Sequence, residues 1–226
     1  MNAFIAIALS ALAGWFGWRA WNESRVLAAA RRHLLDDVSG LLGNLETAQL
    51  PTGYVKLSGT YRGLPAVIEP IVDTLNVRKL PVLWLMVTVP APTTVRATFN
   101  LMMRASGLEV FSRYAQLDHA IDPPEGFPEW SGIRTDAPAA LPPVEVVSRY
   151  LTRFHDGSGK ELLISPKGVR MVVMVDQADR GGYLIFRDAR FGAGRVSREL
   201  VQGVLDELHA LRDDVIAQST LEVVPK

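Results

Sequence analysis

Cysteine is absent from the chain, which excludes disulfides, thiolate metal sites and cysteine nucleophiles together. Net charge is absent too: 24 basic and 24 acidic residues cancel, so nothing global attracts nucleic acid. Only four histidines occur, and there is no HExxH pair, EF-hand loop, Walker lysine, GxSxG elbow or kinase-like set. No cofactor is implied. With no local set of acid, base and nucleophile, the sequence favours a non-catalytic protein over an enzyme.

What the chain does have is one long apolar run. Residues 2–18, NAFIAIALSALAGWFGW, carry no charge and reach roughly 25 Å as a helix. Trp15, Phe16, Trp18 and Trp21 gather at its carboxyl end, where amphipathic rings suit the headgroup level. Arg19, Arg25, Arg31 and Arg32 all follow it, so the positive-inside bias directs the carboxyl side to the cytoplasm. The expectation is a signal-anchor over 1–21, with the membrane as partner through 2–18. The protein would then be single-pass in a bacterial-type inner membrane, with its C-terminal domain cytoplasmic. Ala11-Leu12-Ala13 has the form signal peptidase accepts, but cleavage there leaves too short a leader without a basic start. Ala13 and Gly17 match the small-xxx-small pattern only weakly, which leaves a homodimer open.

Leu27, Ala30, Leu34, Val38, Leu41 and Leu45 continue a helical stripe, so 22–50 reads as a juxtamembrane helix ending near Pro51. The remainder, 51–226, reads as one α+β domain, a mostly antiparallel sheet of roughly six to eight strands covered by helices. Alternation from Val55 to Tyr61 and from Ala66 to Val72 predicts a hairpin, with Pro70 marking its second strand as an edge or a bulge. Leu80–Val89 is nearly all apolar, as expected of a strand at the sheet centre. Thr94–Arg104 alternates and is expected to pair with it.

Residues 118–143 hold six prolines and five acids against the single Arg134, and read as an irregular loop serving as lid, docking segment or packed insertion. A helix is expected over 144–155, a hairpin over 161–175, a strand over 183–187 and a last helix over 196–218. The stripe of that last helix is Leu200, Val201, Val204, Leu205, Leu208, Leu211 and Val215.

Two clusters carry chemistry. Asp118, His119 and Asp122, with Glu125 nearby, are the catalytic candidates; their spacing fits no metal motif, so no metal is assigned. Arg187, Arg190, Gly192, Gly194, Arg195, Ser197 and Arg198 form a basic, glycine-rich link into a helix start, where backbone N–H groups could hold an anion. These yield three readings: a membrane-anchored, cytoplasm-facing interaction or scaffold protein with a protein partner; a hydrolase of an envelope or lipid-derived substrate using Asp118, His119 or Asp122; and an anionic-lipid-binding module.

Overall fold

The computed structural model describes residues 2–73, 80–178, 191–192 and 194–222. The chain opens with helix α1 (Asn2–His33) and a single turn, α2 (Asp36–Ser39). Strands β1 (Gly43–Gln49), β2 (Val55–Tyr61), β3 (Leu64–Asp73) and β4 (Val82–Val89) follow. Next come β5 (Phe99–Met103), β6 (His119–Ile121) and β7 (Ser131–Thr135). Two short helices, α3 (Val144–Val147) and α4 (Thr152–His155), lead to β8 (Gly159–Ser165), β9 (Gly168–Gln177) and the long α5 (Arg198–Glu222).

The strands form one antiparallel sheet in the order β1-β2-β3-β4-β9-β8-β5-β7-β6. Helix α5 lies across one face over β4 and β9. Its stripe of Val201, Val204, Leu205, Leu208, Leu211 and Val215 is fully buried against Leu85, Val87, Met171 and Val173. Each such side chain contributes about 1.5–3 kcal/mol of burial. Polar groups fix the helix register: Tyr61 donates to Asp206 at 2.7 Å, and Arg153 forks onto Glu207 at 2.8–3.0 Å. Tyr150 donates to Asp214 at 2.8 Å. His209 is buried edge-on to the Tyr61 ring.

No helix among the described residues is long and apolar enough to cross a membrane. This overturns the expected transmembrane anchor and the single-pass reading built on it. α1 is long, but its apolar character gives out at Trp18, and Arg19, Glu23 and Arg25 follow in the same helix. Roughly 25 Å of uncharged rod falls short of a hydrocarbon core about 30 Å thick. The positive-inside argument depends on a span and fixes no orientation without one.

The helix expected to run to residue 50 ends at His33, and Gly43–Gln49 is a strand. Gly40 and Gly43 weaken the helix, and Asn44 takes a left-handed φ of 49°. β1 then crosses Gly59 so closely that a Cβ there would lie 2.6 Å from the Gly43 carbonyl. Pro70 is neither in an edge strand nor at a bulge, since β3 lies between β2 and β4. The β2 ladder runs only to Ile68, so the missing N–H falls where β3 keeps one neighbour, β4.

β4 sits near the sheet centre as expected, but β5 does not pair with it. The Pro90–Pro92 segment carries the chain past the end of β9 and β8, and β5 joins β8 and β7 instead. The acidic, proline-rich 118–143 stretch contributes β6 and β7 to the sheet, with Ile133 in the core. The 144–155 helix is split into α3 and α4 by a tighter turn over Ser148–Tyr150. The strand expected over 183–187 lies outside the described residues.

Candidate functional site

Six strand termini meet at one end of the sheet. β3, β5 and β9 finish there at Asp73, Met103 and Gln177; β4, β7 and β8 start there at Val82, Ser131 and Gly159. Between them lies a cleft of about 710 Å³, within the range of ligand sites. Val82, Trp84, Met103, Met174 and Phe154 supply its apolar lining, with Trp130 alongside. Asp73, Arg104, Glu129, Asp156 and Lys160 supply its charge, and His155 adds an imidazole. Phe154 can lie flat on β8 because residue 159 is glycine: a Cβ there would sit 2.8 Å from the ring. The indole N–H of Trp84 is buried and finds no acceptor among the described residues.

Two residues of the cleft depart from ordinary backbone. Arg104 has φ 46° and Trp130 φ 66°, the left-handed region that β-carbons disfavour by about 1–2 kcal/mol. They are bonded to one another: the Arg104 N–H donates to the Trp130 carbonyl at 2.8 Å. That bond continues the β5–β7 ladder one step beyond the Met103–Ser131 pair. Trp130, although large and apolar, remains 67% exposed. Strain held at a cleft by its surroundings is a pattern of functional sites.

The floor is built by a β-bulge. Gly159 pairs with Val173 and Glu161 with Val172, which leaves Lys160 as the extra residue on β8. Lys160 Nζ donates to the Met103 carbonyl at 2.8 Å, the Arg104 carbonyl at 3.3 Å and Glu109 at 3.1 Å. Glu109 also accepts from Ser106 N–H, Ser106 hydroxyl and Gly107 N–H. Burial works to raise the Glu109 pKa, but the Ser106 N–H and then Lys160 outweigh it and bring the carboxyl to about 2. The three donor positions of the Lys160 ammonium are thereby engaged within the fold. Asp156 is held below the usual carboxylate range by Ser158, through its side chain first and then its N–H.

Behind the cleft, Asn100 on β5 donates to Glu161 at 2.9 Å. Ser112 donates to the same carboxylate oxygen. Glu161 is fully buried, and burial raises its pKa.

The cleft thus offers aromatic surface with a charged mouth, and no serine, threonine or cysteine among its described lining residues. The sequence-level candidates lie elsewhere. Asp118, His119 and Asp122 are exposed on and beside the edge strand β6, outside the cleft. Arg134 donates to the Leu117 carbonyl and covers the Tyr114 ring, so it does not gather them. No group of three or more metal-binding side chains is present among the described residues.

Of the glycine-rich link, Arg187 and Arg190 lie outside the described residues. Arg195 bonds Asp37 at 2.7 Å and lies 3.8 Å from Asp36. Ser197 accepts the Leu200 N–H as a helix cap. Gly192 and Gly194 lie in the link before α5, and Arg198 opens that helix, with its guanidinium beside Gly40. One signal of the cleft is local in the sequence: adjacent Lys160 and Glu161 head an otherwise largely apolar strand. No protein-family model matches the chain, and no curated protein and no solved structure is significantly similar to it.

Proposed function

We propose that this chain is a non-catalytic interaction protein that holds a protein partner in the cleft at the strand termini. The observation that carries this reading is Trp130, a large indole kept exposed in a strained backbone beside an aromatic cleft. Tryptophan is enriched at binding hot spots because it buries much area with little entropy lost. The buried Lys160 and Glu109, by contrast, are engaged with one another and with backbone groups. A photo-reactive phenylalanine analogue at position 130, compared with one at the exposed Val144 outside the cleft, tests the reading in cells. A discrete protein adduct from position 130 alone is expected. Adducts of equal yield from both positions, or none from position 130, would remove it.

A further inference from the structure

Resting on that reading of the cleft, we infer that the bound segment presents an arginine or lysine flanked by apolar side chains. Three aromatic side chains line the cleft: Trp130, from the turn before β7, is exposed, while Trp84 of β4 and Phe154 of α4 are buried in its wall. Aromatic faces attract cations, guanidinium most of all, while their bodies accept aliphatic stems. The local charge has the matching sign. Glu129 and Asp156 are both exposed at this cleft, and the Glu129 carboxylate makes no ion pair among the described residues.

Lys160 does not offset them, because Glu109 neutralises it within the fold. Among the described lining residues, Arg104 is the other full cation, and Asp73 adds a further carboxylate. An acidic segment would be repelled by these carboxylates. A wholly apolar one would strip water from them without giving them a partner, which costs affinity. A cation with an apolar stem satisfies rings and carboxylates at once.

The test uses the full chain and three short capped peptides, leucine-arginine-leucine and its citrulline and glutamate counterparts. Citrulline keeps the arginine shape and removes its charge. Binding is followed through the indole N–H signals of Trp84 and Trp130, assigned with Trp84→Phe and Trp130→Phe. The arginine peptide should shift both signals and bind from about twofold to thirtyfold more tightly than the citrulline peptide, the range of one cation–aromatic contact. The glutamate peptide should bind weakest. In the double variant Glu129→Gln with Asp156→Asn, the gap between arginine and citrulline should narrow, with the remaining amide spectrum unchanged as the fold control. Equal binding of arginine and citrulline would overturn the charge preference and leave the cleft as an apolar peptide site. No shift with any peptide would count against the cleft as a binding site and against this inference together.

Discussion

Asn100 and Glu161 meet diagonally across the β5–β8 ladder, with the amide Nδ2 donating to Oε1 at 2.9 Å and neither residue more than 1% exposed. Asn100 Oδ1 and Glu161 Oε2 are both left without a partner among the described residues. In the ionised pair both are acceptors wanting a donor. One proton on Oε2 turns it from an unpaired acceptor into a donor. Burial favours that neutral acid by raising the Glu161 pKa from its ordinary 4.5.

A pH signature follows from the sign of this shift. The contribution of Glu161 to stability is complete below 4.5, where folded and unfolded chains are both protonated. It is lost as pH rises through the folded value, because the unfolded chain releases its proton first. Glu161→Gln keeps shape and donor without titrating, so it should match the parent near pH 4 and exceed it at pH 8. Glu161→Ala should cost about 2–4 kcal/mol at low pH, from the cavity and two stranded donors. Urea unfolding of the three proteins across that range is the measurement.

The Lys160–Glu109 pair has the opposite window. The folded Glu109 carboxyl titrates at about 2 against an ordinary 4.5. Its contribution is present above 4.5 and disappears as pH falls toward 2, and amounts to at most about 3 kcal/mol. Glu109→Gln should lose most of that at pH 7 and show a shallower acid limb. An acid-unfolding titration monitored by circular dichroism reads both effects.

Gly159→Ala tests the packing beneath the cleft. The added methyl would meet the Phe154 ring, which is itself only 1% exposed. A destabilisation of about 1–3 kcal/mol is expected, the usual cost of forcing a packed side chain aside. Phe154→Leu in the same chain should recover part of the loss if the ring is the obstacle. Thermal unfolding of the single and double variants decides it.

How much of this was legible before folding depends on the range of the interaction. The α5 stripe and the β8–β9 hairpin are local, set by a 3.6-residue period and by a two-residue turn at Pro166-Lys167, and both were readable. β1 is hidden in the sequence because Leu41 and Leu45 prolong the helical spacing, whereas Gly43 meets Gly59 only once β1 and β2 are paired. β5 was given the wrong neighbour because sequence adjacency hid the crossing past β9 and β8. The apolar run at 2–18 suggested a membrane solvent for the start of the chain on too short a length. The cleft was out of reach, since its walls come from residues 73 to 177 and meet only when the sheet is assembled.

Trp130→Gly is the most direct test of the claim that the exposed indole exists for recognition. Glycine accepts the left-handed backbone at residue 130 without strain, and little buried area is lost from a side chain left mostly in solvent. The expected result is a melting temperature equal to or above that of the parent, with binding of the arginine-bearing peptide reduced at least about tenfold. A lower melting temperature with binding unchanged would contradict it, and would make Trp130 a structural residue.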